Sequence, residues 1–186
     1  MSRLLKLWDS FGLEGDLNLE YEEKSDEAAL KSLSKLQIAL GNSLLVQRDG
    51  VPVQIPSLPW LYLGSLGAAY NFDALKAAGI THILCLSAAV RCKFPDHFAY
   101  LRLALDDKAD APLLSIIFEA CRFIEDARPA GVLVHCYQGI SRSVAVCIAY
   151  MIVRHNFTFT SALQTIRAVR PQAAPNSGFI ATLKSL

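Results

Sequence analysis

The chain has 186 residues, 53% of them hydrophobic and 19% charged, and a formal net charge of +1. So much apolar side chain excludes disorder over most of the length, and a near-neutral charge without a Lys/Arg run excludes a nucleic-acid footprint. The mean hydropathy of +0.31 invites a search for a membrane span. None is expected: the longest stretch without Asp, Glu, Lys or Arg, residues 50–72, holds Pro52, Pro56 and Pro59, and the apolar run 143–153 is shorter than the roughly 20 residues a bilayer needs. The five cysteines, Cys85, Cys92, Cys121, Cys136 and Cys147, form no C-x-x-C pair, and the first residues hold no continuous apolar signal region. A reduced setting, cytoplasmic and also nuclear, is expected.

Residues 1–50 carry nine acids against six bases, and the remainder eight against twelve. The first 50 residues therefore read as an acidic extension, poorly ordered over 9–27, ahead of a folded domain over 51–186. Within the extension Ser25 can cap a helix, with Leu30, Leu33, Leu36 and Leu40 at helical spacing and Gly41 as a stop. That amphipathic helix, over about 25–40, is read as docked on the domain behind it in preference to a free partner-binding helix. From residue 51 strands and helices alternate. Leu61–Leu63 reads as a strand, and Asn71 caps a helix through Ala78. Thr81–Ser87 and Phe98–Leu105 read as strands, and Leu113–Ala127 as a helix with Ile116, Ile117, Ala120, Phe123 and Ile124 on one face. Gly131–His135 is a buried strand and Ser143–His155 a nearly all-apolar central helix. Thr160 caps a helix through Val169, ended by Pro171, and Gly178–Leu186 forms a short last helix. Continuous apolar strands alternating with helices imply an α/β fold, with a central, mainly parallel twisted sheet flanked by helices on both faces.

The informative segment is HCYQGISRS, residues 135–143. A buried strand runs into Cys136, and five residues later Arg142 opens a hydrophobic helix. The backbone amides of Tyr137, Gln138, Gly139, Ile140, Ser141 and Arg142 can curl into a nest of donors, with Gly139 supplying the left-handed residue such a curl needs. The loop ends at a helix N-terminus, which favours an anion, and Arg142 adds a planar fork for two phosphate oxygens. The same positive field favours the thiolate of Cys136, a nucleophile at the floor of an oxyanion cradle. A phosphate ester is the matching substrate. Its leaving oxygen needs a proton, and the candidate acids are Asp106, Asp107 and Asp110 at the carboxyl end of the strand 98–105, where ligands of parallel sheets gather. No metal and no cofactor is expected.

At these residues the sequence resembles the dual-specificity phosphatases, cysteine-dependent members of the protein tyrosine phosphatase superfamily. HCYQGISRS is similar to the family's HCxxGxSRS signature, LYLGS (61–65) with LKAAGITHILCLS (75–87) to its first strand and next helix–strand unit, and RP…PNSGF (170–179) to its C-terminal motif. The nearest general likeness is to compact atypical or plant-type members. The resemblance implies Cys136 as nucleophile, Arg142 as phosphate clamp, Asp107 as general acid ahead of Asp106 and Asp110, and Ser143 as the hydroxyl that assists breakdown of the intermediate. It implies that His135 tunes the thiolate from behind the loop. Where the family often has Asn, this chain has Cys85, which is read as a buried core cysteine in preference to a resolving thiol for an oxidised Cys136. Arg170 is read as a salt-bridging residue in preference to a second phosphate contact.

The variable loop residues Tyr137, Gln138 and Ile140 are uncharged, which favours phosphotyrosine and phosphoserine/threonine in a protein, with a mitogen-activated protein kinase as the family-level guess. The alternatives are a phospho-binding pseudophosphatase and a phosphatase of RNA 5′ ends, phosphoinositides or glucans.

Overall fold

The computed structural model describes residues 31–37, 39–41, 43, 44 and 46–186. The chain divides into two compact units, one up to Gly41 and one from Asn42 to Leu186. The acidic stretch 9–27 and the cap at Ser25 lie outside the described residues. Residues 31–37, 39 and 40 are helical as expected, but Gly41, residues 43 and 44, and residues 46–49 are helical too, so the stop expected at Gly41 is not made. Leu33, Leu36 and Leu40 are exposed.

The second unit is built on a five-stranded sheet of order β1-β2-β5-β3-β4. The strands are β1 (Val53–Ile55), β2 (Leu58–Gly64), β3 (Ile80–Cys85), β4 (Ala99–Arg102) and β5 (Gly131–His135). All pairings are parallel except β1 with β2. All five residues of β5 are buried, as the central place of that strand requires. Its side chains alternate between two cores: Val132 and Val134 face one layer of helices, Leu133 the other.

The larger layer holds α3 (Leu113–Asp126), α4 (Arg142–His155), α5 (Phe159–Val169) and α6 (Ser177–Lys184), and the smaller holds α1 (Leu66–Ala69) and α2 (Phe72–Ala77). α4 is buried at every position from Ser143 to Met151, so it is the central helix its all-apolar sequence implies. Burying a Val, Leu or Ile of this kind contributes about 1.5–3 kcal/mol each. α3 buries Leu113, Ile117, Ala120, Cys121 and Ile124, while Ile116 and Phe123 pack at the rim of the core.

Four elements differ from expectation. β1 and the single-turn α1 were not legible in the sequence; β1 is three residues long and lies between Pro52 and Pro56. α5 is capped by Thr158, not Thr160. The Thr158 hydroxyl accepts from the Ser161 amide at 3.2 Å and the Ser161 hydroxyl accepts from the Thr158 amide at 3.1 Å, a reciprocal capping box. β4 ends at Arg102, short of the expected Leu105, although Leu103 and Leu105 stay buried. Among the described residues no helix is long and apolar enough to cross a membrane.

Candidate active site

β5 and α4 are joined by residues 136–141, and the burial of both elements holds the two ends of this loop in place. Every carbonyl from 137 to 141 is tied down on the outside of the loop. Tyr137 O accepts from the Leu66 amide at 3.0 Å, Ile140 O from Ala174 at 2.9 Å and Ser141 O from Ala145 at 2.8 Å. Gln138 O and Gly139 O accept from the Arg170 guanidinium at 2.9 and 2.6 Å. With its carbonyls held behind, the loop leaves its N–H groups for the concave side. Gly139 has φ +66, and a Cβ there would come within 2.6 Å of both Arg170 Nη2 and Gly64 O, so glycine is required twice over.

Cys136 lies at the floor of the loop, 1% exposed. Its sulfur accepts from the Gly139 amide at 3.2 Å, and Ser143 Oγ lies 3.3 Å away, where its hydroxyl can donate to a thiolate. His135 meets the loop from behind, through the loop backbone. Its ring does not meet the sulfur; Nδ1 lies 3.2 Å from the Cys136 carbonyl, and since a carbonyl only accepts, Nδ1 carries the proton. Burial pushes the His135 pKa down to about 4, so the ring is neutral at pH 7 and holds the backbone under the nucleophile.

Arg142 reaches forward between the ends of β3 and β4. Nη1 donates to Leu86 O and Leu105 O, both at a long 3.4 Å, and Nε has no hydrogen-bond partner. A half-buried guanidinium with spare donors beside a ring of amides is a site built for an anion.

Of the three candidate acids only Asp107 joins this group. Its Oδ1 accepts from Ser141 Oγ at 2.6 Å and from Asn176 Nδ2 at 2.9 Å, and its Oδ2 lies 3.7 Å from Arg142 Nε. Asp106 faces solvent, paired with Lys108 at 3.3 Å, and Asp110 is exposed. The loop carrying Asp107 is seated on the start of α6. A Cβ on Gly178 would fall 1.7 Å from Ala109 O, so only glycine allows that approach. Asn176, which also caps α6 through the Phe179 amide at 3.0 Å, was not singled out from the sequence, although its motif PNSGF was on view.

Cys85 pairs with His135 across β3 and β5, which puts it beside the nucleophile's strand. It is 1% exposed, it is a free thiol, and burial pushes its pKa up. Among the described residues no cluster of three or more His, Cys, Asp or Glu could hold a metal ion.

Residues 61–186 match the family model for the dual specificity phosphatase catalytic domain. The chain belongs to the dual-specificity phosphatase family and is a phosphatase, a hydrolase. It is similar to dual specificity protein phosphatase 1 of Arabidopsis thaliana, with 38% identity over 166 residues that cover 88% of this chain and 83% of the relative. It is also 40% identical over 141 residues to the MAP kinase phosphatase with leucine-rich repeats protein 3 of Dictyostelium discoideum, covering 74% of this chain and 16% of that longer protein. The crystal structure of DUSP15 superposes with a TM-score of 0.69 at 32% identity, covering 73% of this chain and 86% of that one.

Proposed function

We propose that the protein hydrolyses phosphotyrosine and phosphoserine/threonine in protein substrates through a cysteinyl-phosphate intermediate. The observation that carries this reading is the joint placement of the Cys136 sulfur on the Gly139 amide, the under-partnered Arg142 fork and the Asp107 carboxyl around one cradle.

In the first half-reaction the Cys136 thiolate attacks phosphorus, an S–P bond forms and the P–O bond to the substrate breaks. Asp107 gives its proton to the departing oxygen. The loop amides and Arg142 hold the non-bridging oxygens, whose charge must be met as the phosphoryl group transfers. In the second half-reaction Asp107, now a carboxylate, takes a proton from water as the water oxygen attacks phosphorus. The S–P bond breaks, and the Ser143 hydroxyl donates to the sulfur as it regains its negative charge.

The uncharged side chains at 137, 138 and 140 support a singly phosphorylated residue of a protein over a polyphosphorylated headgroup. An activated mitogen-activated protein kinase is the first substrate to try. The test is hydrolysis of phosphotyrosine and phosphothreonine peptides by the reduced protein, with acid quench to trap phosphate on Cys136. Trapped phosphoenzyme and release from both peptides are expected. Phosphate binding without hydrolysis would overturn the reading in favour of a pseudophosphatase.

A further inference from the structure

Arg170 is 2% exposed, deeper than any other cation of the described chain. Its guanidinium makes four bonds, two to the loop carbonyls of Gln138 and Gly139 and two to one carboxylate. Nη2 donates to Asp49 Oδ2 at 2.6 Å and Nη1 to Asp49 Oδ1 at 3.2 Å. That is the bidentate fork in which both planar groups are held in orientation as well as in place. Among the described residues Asp49 is the only charged partner of this buried cation, and the two carbonyls alone would leave its charge unmatched.

Asp49 is itself anchored. Its carbonyl accepts from Ser65 Oγ at 2.9 Å, and the next carbonyl, Gly50 O, accepts from Asn71 Nδ2 at 2.9 Å. The backbone that carries the carboxylate is thus pinned to Ser65 and Asn71, the N-cap residues of α1 and α2. The line of contact then runs from Asp49 through Arg170 to the carbonyl of Gly139. The N–H of that same residue donates to the Cys136 sulfur, and its left-handed backbone leaves no slack against the guanidinium. A shift of Arg170 therefore rotates the one residue that touches the nucleophile from the loop side.

We propose that Asp49 is a positioning residue of the phosphatase, which acts through Arg170 to hold the phosphate loop in its binding shape. This rests on the reading of the cradle given under Proposed function. It places a working part of the site ahead of residue 61, where the family match begins, in the acidic third whose charge the catalytic steps leave unused.

The test is a double-mutant cycle in the full chain with two readouts: affinity for inorganic phosphate by calorimetry, and kcat and KM on p-nitrophenyl phosphate. Asp49→Asn is expected to weaken phosphate binding and lower kcat by about tenfold to a hundredfold, the range a small misplacement of catalytic groups produces. In an Arg170→Gln background the same change adds no further loss, because the line of action is already cut. Multiplying losses in the double variant would overturn the proposal. So would an Asp49→Asn protein with a lowered melting temperature but unaltered phosphate affinity and kcat. Should Asp49→Asn not fold, Asp49→Glu keeps the charge and displaces it by one methylene. A folded Glu variant with weakened phosphate binding supports the proposal, and one with wild-type values in both readouts overturns it. Phosphate binding without ester hydrolysis by the wild type would sink the phosphatase reading, while the calorimetric arm would still score Asp49.

Discussion

The two ends of α4 lie about 20 Å apart along one buried helix, and each meets an arginine in opposite circumstances. At the far end Arg128 has close partners: it donates to Glu125 at 2.7 Å and lies 3.8 Å over the Trp60 ring. Tyr150 closes that cluster, donating to Glu125 at 2.7 Å and accepting from Trp60 Nε1 at 3.3 Å. At the cradle end Arg142 has long bonds, and its Nε has no hydrogen-bond partner, only the Asp107 carboxylate at 3.7 Å. His155 Nε2 at the far end is also without a hydrogen-bond partner, but burial lowers its pKa and the ring packs edge-on against Tyr150 at 5.0 Å. A neutral ring nitrogen so placed costs less than an unmet guanidinium N–H. Closed polar networks stabilise; open ones hold binding capacity in reserve for a ligand.

The contrast is broken or upheld by pairing rate with melting temperature. Cys136→Ser is expected to abolish turnover at the cradle end with the melting temperature kept, and residual steady-state hydrolysis would refute the nucleophile. Asp107→Asn should cost about 10²–10⁴ in rate. Arg142→Lys, a point charge in place of a fork, should cost about 10²–10³. At the far end the expectation inverts. Tyr150→Phe strips partners from Trp60 and Glu125 and should cost roughly 1–2 kcal/mol of stability with kcat unchanged. A slow but thermally normal Tyr150→Phe protein would erase the distinction.

His135 sharpens the comparison because it serves the cradle but titrates as a stability group. Its ring is neutral in the fold, with a pKa of about 4, whereas the unfolded chain takes up the proton below about 6.5. The unfolded state therefore binds more protons between these values, and stability falls as the pH drops from about 6.5 to 4, then levels off. The loss is roughly 3 kcal/mol, readable as a declining melting temperature that His135→Asn should flatten.

The smallest expected effect separates two buried thiols. Peroxide oxidises the Cys136 thiolate to a sulfenic acid with loss of hydroxide. A resolving Cys85 would then attack that sulfur, forming the S–S bond as water leaves. Cys121, whose pKa burial raises to about 11, lies on α3 and should stay reduced. Peptide mapping that finds sulfinic Cys136 and no link to Cys85 would end the resolving role.

Legibility followed the range of the interactions. The β5–loop–α4 unit could be read from nine consecutive residues because strand burial, glycine and helix start are all local there. Asp107 could not be separated from Asp106 by local signals, since the partners that select it, Ser141 and Asn176, lie 34 and 69 positions away. The Asp49–Arg170 pair spans 121 positions. Thr158 was passed over because its box partner is Ser161 rather than the usual Glu or Gln. Gly41 shows the reverse failure: a helix breaker by propensity, it sits in helical residues that continue past it.

The seating of the acid loop on Gly178 bears on what limits the catalytic cycle. Wedged at Ala109 and tied at Asp107, the loop is held beside the cradle, and no lid closure is expected before the leaving oxygen is protonated. The expected outcome is a kcat that holds level as sucrose thickens the medium. Gly178→Ala, whose new methyl collides with the Ala109 carbonyl, turns the same loop into a gate that viscosity slows.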